Sequence, residues 1–306
     1  MQFTPATPYS LRATMGVLAR GTADPALRMD ADGLWWCVRT PTGEGATVRL
    51  RQQAGLMGTV HAWAWGPGAD YVEEHLPTMI GFEDDWSDFD DQRFQESLPV
   101  FLRQARRSHP GLRLTQTGLL FDQLTTVVLE QKVTHMEARY AWRYLLRRFG
   151  EKPPGPAPAG MKLPLTAQQW AHVPSWEWHQ ARVDGQRSRI VLQLAQKAAT
   201  INRIAVQDLP QLRRSIRALP GVGPWTAAEV LQRTHADPDS VSVGDYHLAN
   251  HVVEALTGVR GNDRRMLEVL SPWVGQRHRV VRMIGLSSFR PSRFGPKLTP
   301  EDHRAR

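Results

Sequence analysis

A short segment between two helical patterns has the residue types to bind phosphate through its backbone. Gly221 and Gly223 flank Val222, and Pro224 can occupy the first turn of the second helix, where no backbone donor is needed. We expect both glycines to permit positive φ and a close backbone approach, with Val222 plugging the helix interface. The N–H groups of the loop and of the following helix N-terminus would then point outwards at a phosphate.

One carboxylate follows this segment closely in the chain. Asp245 comes after the apolar Val241 and Val243 and opens the next helical pattern. From its position alone, Asp245 can be a helix N-cap, since a short acidic side chain accepts hydrogen bonds from the first turn.

The elements that must position these residues differ between the two parts of the chain. Residues 34–65 predict three strands, because a short apolar run, a turn cluster and two alternating segments follow one another. From Leu119 onwards the apolar spacing becomes helical. One stripe runs along Leu120, Leu124, Val127 and Val128, and a second along Val133, Met136, Tyr140, Tyr144 and Leu145 to a stop at Gly150. Further helical patterns cover 166–172, 187–201, 211–219, 225–234, 246–257 and 263–271.

This pattern predicts an α+β module followed by an all-helical module. We place the first at residues 1–110, the second at 111–286, and a basic, proline-containing tail at 287–306. Six acidic residues lie between Glu83 and Asp91. They could suggest a metal site, but nothing specifies convergent ligands, and we expect a solvated loop or a helix start.

The charge is unevenly distributed. The chain has 38 basic and 30 acidic residues, and residues 1–110 hold 10 and 14 of them, which leaves 28 and 16 for residues 111–306. A basic segment of this size favours a polyanionic partner such as nucleic acid, although a solvated basic surface would look the same.

The cysteine count and the hydropathy exclude several classes of protein. Cys37 is the only cysteine, so an internal disulfide, a four-cysteine zinc site and a four-cysteine iron–sulfur cluster are excluded. No apolar run approaches the roughly 20 residues of a membrane helix. The first ten residues lack the pattern of a secretory signal, and we expect a reduced, cytoplasmic setting.

The hairpin segment resembles the helix-hairpin-helix DNA glycosylases, and more narrowly the bacterial 3-methyladenine DNA glycosylase II family. Residues 219–227 follow the order apolar, any, Gly, apolar, Gly, any, any, Thr, Ala. Further similar stretches are 8–9, 18–20, 109–114, 121–123, 129–134 and 271–273, so the resemblance covers about residues 8–285. It implies a small N-terminal antiparallel sheet with helices, followed by a helical bundle.

The resemblance also implies roles for individual residues. Asp245 takes the catalytic position, where a carboxylate stabilises an oxocarbenium-like transition state. Trp225 and Tyr246 take positions of the base pocket, although Trp225 could also be a core residue. Relatives that cleave the strand hold a Schiff-base lysine in the place of Trp225, so no lyase activity is expected. DNA-binding roles fall on Gly221, Val222, Gly223 and Thr226.

Four further positions match the family pattern in place but not fully in residue type. Gln131 and Lys132 fall where the family inserts a side chain into the gap left by the flipped nucleotide, and the second place is usually apolar. Glu229 and Ile284 fall at pocket positions where aromatic residues are expected. We therefore predict a base pocket that includes both, but is less aromatic than in the family.

The resemblance implies no required cofactor and no iron–sulfur cluster. It implies a structural monovalent cation on the backbone carbonyls of Arg217, Leu219 and Val222. The expected partner is double-stranded DNA with a damaged base, bound by a monomer.

Three functions agree with the sequence. The first is a monofunctional glycosylase for alkylated purines in base excision repair. The second is a catalytically weak or inactive helix-hairpin-helix DNA-binding protein, favoured by the departures at Lys132, Glu229 and Ile284 but not by the presence of Asp245. The third is an oxidised-purine glycosylase, which Trp225 argues against.

Overall fold

The N-terminal part of the chain is built on a small antiparallel sheet. The computed structural model describes residues 1–292. Its strands are β1 (Gln2–Phe3), β2 (Leu27–Asp30), β3 (Gly33–Arg39), β4 (Gly45–Gln52) and β5 (Val60–Trp65). They lie in the order β1–β5–β4–β3–β2, with all neighbours antiparallel.

The three predicted strands are confirmed as β3, β4 and β5. Alternation places Val48 and Leu50 of β4 in the core, with the half-buried Arg49 between them. Strand β2 was not predicted, although Leu27 and Met29 alternate with polar residues over its four positions. The two residues of β1 are too few to give such a signal.

Sixteen helices are present within residues 1–292. They are α1 (Leu11–Met15), α2 (Ala69–Met79), α3 (Ser87–Asp90), α4 (Gln92–Ser97), α5 (Val100–Ser108), α6 (Leu120–Leu129), α7 (His135–Phe149), α8 (Ala167–Ala171), α9 (Ser175–Gln180), α10 (Gly185–Gln196), α11 (Ala198–Ile204), α12 (Leu209–Arg217), α13 (Pro224–Thr234), α14 (Leu248–Thr257), α15 (Asp263–Leu270) and α16 (Arg277–Leu286). The predicted α+β class is thereby confirmed. None of these helices is long and apolar enough to cross a membrane.

The apolar stripe predicted for α7 is wrong in its phase. Thr134 and Glu137 form a capping box that starts this helix at His135. Met136, expected on the buried face, is 70% exposed. The side chains that α7 buries in the core are Ala138, Ala141, Trp142, Leu145 and Leu146.

Three large cores and one small cluster around Cys37 hold the described chain together. One lies between the sheet, α1 and α2, and a second is formed mainly by α6, α7, α10, α12 and α13. The third joins Trp86, Phe89 and Leu102, from the first predicted module, to α14, α15 and α16. The boundary near residue 110 therefore stays a prediction, because helices on either side of it share one core. The predicted tail lies outside the described residues from position 293 onward.

The acidic segment 83–91 is only partly as expected. A helix does start there, at Ser87, but Asp84 is not solvated. Its carboxylate accepts hydrogen bonds from Arg279 at 2.5 Å, from Trp86 Nε1 at 2.6 Å and from the Leu114 N–H at 2.5 Å. Within residues 1–292, no group of three or more His, Cys, Asp or Glu side chains could hold a metal ion.

The single cysteine lies inside the fold. Cys37 is 1% exposed on β3 and packs with Met161 and Leu163. Burial raises the pKa of its thiol to about 12.

Candidate active site and DNA interface

The predicted hairpin connects α12 to α13, and its two glycines have different conformations. Gly221 has φ +69°, the left-handed region that favours glycine. Gly223 has φ −83° and ψ −177°, an extended conformation open to any residue, and it is the N-cap of α13. The expectation of positive φ is therefore correct for Gly221 and wrong for Gly223.

The surroundings of the two glycines also differ. A Cβ at Gly221 would lie 2.5 Å from Ile190 Cδ1, so this glycine is needed for packing against α10. A Cβ at Gly223 would meet nothing within 4 Å. Gly223 is thus the glycine whose open side adjoins the unpaired N–H groups of the α13 N-terminus, where an anion can bind.

The remaining hairpin residues point inwards. Val222 and Leu219 are buried in the helical core, as the predicted plug requires. Thr226 is also buried, and its hydroxyl accepts a hydrogen bond from Gln131. The Thr226 side chain therefore faces the interior, and the DNA-binding role predicted for this residue stays a prediction.

Gln131 supports the hairpin from outside. Its Nε2 donates to the Gly221 carbonyl at 3.0 Å and to Thr226 Oγ1 at 2.9 Å. This bracing role was not predicted, and the role at the gap left by the flipped nucleotide stays a prediction. Lys132 is exposed and has φ +55°, so the loop between α6 and α7 presents it to solvent.

Asp245 is held through both carboxylate oxygens. Oδ1 accepts the N–H groups of His247 and Leu248, each at 2.9 Å, which closes the turn that leads into α14. Oδ2 accepts the indole Nε1–H of Trp225 at 3.2 Å. Asp245 is half-buried, so it fixes the turn before α14 and also presents a fixed negative charge that a ligand can approach.

The two aromatic residues predicted for the base pocket differ in their exposure to solvent. Trp225 is half-buried and packs against the helical core while its N–H reaches Asp245. Tyr246 is 74% exposed and stands edge-on to His247, with ring centroids 4.7 Å apart. Both therefore adjoin Asp245, and Tyr246 is open to solvent.

Glu229 is fully engaged by protein groups. Its Oε2 pairs with Arg233 at 2.7 Å, and its Oε1 accepts the Ser242 hydroxyl at 2.5 Å. Burial would raise the pKa of this carboxyl, but Arg233 and Ser242 outweigh it and hold the pKa below its ordinary value. Glu229 thus ties α13 to the segment that leads to Asp245, rather than offering a free group to a base.

Ile284 does not line an accessible pocket. It is 1% exposed and lies in the third core beside Val280 and Met283. The prediction is corrected, because this face of α16 packs against α5 and is closed to solvent.

A cavity of about 310 Å³ lies elsewhere, between the sheet and the helices, and none of the predicted site residues lines it. Its wall includes Arg39, Thr40, Asp122 and Asn202. Burial raises the pKa of the Asp122 carboxyl to about 7, although Arg39 and Arg20 lower it. Asp122 belongs to the stretch 121–123 that carries part of the resemblance, but no site role was predicted for it.

Comparison with solved structures defines the fold. The structure is similar to that of 3-methyladenine DNA glycosylase from Archaeoglobus fulgidus, with a TM-score of 0.75 and 12% identity over 93% of this chain and 96% of that chain. It is also similar to an 8-oxoguanine glycosylase/lyase from Clostridium acetobutylicum bound to double-stranded DNA, with a TM-score of 0.68 and 8% identity over 94% of this chain and 96% of that chain. No family model matches the sequence, and no curated protein does.

The chain therefore has the helix-hairpin-helix DNA glycosylase fold. Of these two structures, the Archaeoglobus 3-methyladenine DNA glycosylase has the higher TM-score.

Proposed function

We propose that this protein is a monofunctional DNA glycosylase that excises alkylated purines from double-stranded DNA. The observation that carries the proposal is the Asp245 carboxylate, which Trp225 and two backbone N–H groups hold next to the hairpin. The shared fold supports the same class of activity.

The geometry suits a dissociative cleavage of the N-glycosidic bond. The open backbone at Gly223 and the α13 N-terminus would hold a phosphate, while the damaged nucleotide leaves the stack. The bond then breaks with its electron pair going to the base, and the Asp245 carboxylate stabilises the positive charge on the sugar. Water adds to the sugar carbon and releases a proton. A cationic alkylated purine leaves readily because the electron pair neutralises it.

The side chain of Trp225 supports the monofunctional part of the proposal. An indole cannot form a Schiff base with the sugar, so the product would be an intact strand with an abasic site. Lys132 is exposed near the hairpin, but it lies on the loop before α7 rather than beside Asp245 in the chain.

We also propose a structural cation at the hairpin. The carbonyls of Arg217, Leu219 and Val222 lie where α12 ends and the hairpin turns, and the Leu219 carbonyl also accepts the Val222 N–H at 3.2 Å. Carbonyl oxygens suit a hard monovalent cation, which would add positive charge near a bound phosphate.

The test is release of free bases from duplexes that contain 3-methyladenine, 7-methylguanine, hypoxanthine or 8-oxoguanine. We expect release of alkylated purines by the wild-type protein and a loss of at least about 100-fold with Asp245→Asn, since asparagine caps a helix as well as aspartate but carries no charge. Asp208→Asn, at the N-cap of α12, is the matched control and should change nothing.

Other outcomes would point to the alternatives. Release of 8-oxoguanine alone would favour the oxidised-purine glycosylase. DNA binding without release of any base would favour a DNA-binding protein that lacks catalysis. Asp245→Asn activity equal to wild type would remove Asp245 from the mechanism.

A further inference from the structure

The segment that carries Asp245 has no regular secondary structure and is held by charged groups. Residues 235–245 form this segment, the carboxylate loop. Asp237 within it is fully buried. Its oxygens accept two bonds from Arg213, at 2.7 and 2.5 Å, and one from the Ser240 hydroxyl at 2.5 Å. The N–H groups of Asp239 and Ser240 also donate to it.

A second arginine holds the same loop from the other side. Arg277, at the start of α16, donates to Asp239 at 2.7 and 2.5 Å. The backbone N–H groups of Gly275 and Arg277 donate to the same carboxylate at 2.8 and 3.2 Å. The loop is therefore anchored at Asp237 to one helix and at Asp239 to another.

The helix that carries Arg213 is also part of the hairpin. Helix α12 buries Leu212 and Ile216 in the helical core and leads directly into Gly221. Because a bidentate arginine–carboxylate pair fixes both distance and orientation, the Arg213–Asp237 pair joins the hairpin to the carboxylate loop. The Arg213 side chain is 39% exposed, so its replacement leaves little empty core volume.

We propose that Arg213 and Asp237 are positioning residues, which set the place of Asp245 relative to a phosphate bound at the hairpin. This inference rests on the proposed function for its effect on catalysis. Its physical basis is general: a small misplacement of a catalytic group, caused by a change elsewhere, can cost a large part of the rate.

The experiment compares Arg213→Gln, Arg213→Lys and wild type in four measurements. These are single-turnover release of the excised base, affinity for a duplex with an abasic-site analogue, thermal stability, and hydrogen–deuterium exchange of residues 236–248. Arg265→Gln is the control, since Arg265 forms an exposed ion pair with Glu268 on the same helix, α15.

For Arg213→Gln we expect a rate lower by about 10- to 100-fold and an affinity within about threefold of wild type. Exchange in residues 236–248 should be faster by about tenfold, and the melting temperature should fall, because the fully buried Asp237 carboxylate loses its arginine partner. Arg213→Lys should recover part of the rate, because lysine keeps the positive charge but cannot form the bidentate pair that arginine makes with a carboxylate. Arg265→Gln should match wild type in all four.

Two results would overturn the inference. One is wild-type exchange of residues 236–248 in Arg213→Gln, whatever the activity, since the loop would then not depend on the pair. The other is a fall of rate and affinity by the same factor, which would indicate a structural role alone. A wild-type protein that releases no base would refute the proposed function instead, and the exchange result would still decide whether Arg213 orders the loop.

Discussion

The indole Nε1 of Trp225 lies 3.2 Å from Oδ2 of Asp245 and donates a hydrogen bond to it. The same carboxylate accepts two backbone N–H groups through Oδ1, so it cannot rotate without breaking bonds. Trp225 thus helps to fix the orientation of the candidate catalytic carboxylate, which hydrophobic packing alone would not do.

Trp225→Phe tests this relationship. Phenylalanine keeps most of the packing but cannot donate, and a hydrogen bond to a charged group contributes about 1.5–3 kcal/mol. We expect base release to slow by about tenfold in single-turnover assays, with unchanged DNA affinity. Trp176→Phe, at a tryptophan 66% exposed on α9, should have no effect. Equal rates for Trp225→Phe and wild type would show that the bond does not matter for catalysis.

Gly223→Ala tests the phosphate site. A Cβ there meets no protein atom and the backbone is extended, so the melting temperature should change little. DNA affinity should fall at least about tenfold, because the methyl group occupies the side where a phosphate would approach. Fluorescence anisotropy with labelled duplexes measures this, and the loss should be similar for every duplex sequence.

The matched variants separate DNA binding from folding. Gly221→Ala should lower the melting temperature, because it combines φ +69° with a close contact to Ile190. Gly185→Ala, at the start of α10 where a Cβ also meets nothing, should change neither property. An affinity of Gly223→Ala equal to that of Gly185→Ala would exclude Gly223 from the interface.

Borohydride trapping tests the absence of lyase chemistry. With an indole in the place of a Schiff-base lysine, wild-type protein should leave an intact abasic strand and no covalent adduct. Lys132 is the exposed lysine next to Gln131, which contacts the hairpin. A trapped adduct that disappears in Lys132→Ala would reverse this expectation and identify a bifunctional enzyme.

Asp122→Asn should make stability less dependent on pH. The pKa of Asp122 is about 7 in the folded chain and 3.8 as the ordinary value, so folding favours the protonated form. The stability present at low pH is therefore lost as the pH rises through about 7. Asparagine removes this cost, and we expect a gain of about 2–4 kcal/mol in the free energy of unfolding at pH 8 and less at pH 5.

Urea denaturation at the two pH values measures the difference. Asp88→Asn, at an exposed position on α3, is the control and should show no such gain. A gain of equal size at pH 5 and pH 8 would mean that Asp122 is not protonated on folding.

The parts of this fold with local signals could be predicted from the sequence. A short apolar run predicted β3 and alternation predicted β4 and β5. The glycine–proline hairpin and Asp245 were also singled out from the sequence, and Trp225 next to the hairpin donates a hydrogen bond to Asp245. Helix α7 was placed in the wrong phase because its buried face, which carries Ala141 and Trp142, is set by packing against the rest of the core, while Met136 faces solvent.

The contacts that arrange the site could not be predicted in the same way. Gln131 bonds Gly221 across 90 positions, and Arg213 pairs with Asp237 across 24. Such pairs leave no periodicity in the sequence, because each partner is an ordinary polar residue on its own helix or loop. Ile284 was misplaced for a related reason: which face of α16 meets α5 depends on the tertiary packing.

The burial of Cys37 makes this protein convenient for spectroscopy. As the one native thiol, inside β3 and with a pKa of about 12, it should not react with maleimides while the sheet is intact. A cysteine introduced at an exposed position would then carry a single dye without removal of the native residue. The slow reaction of Cys37 itself would report how often the sheet opens. The same chain could therefore carry a dye for distance measurements on bent DNA and also report the opening of its own sheet.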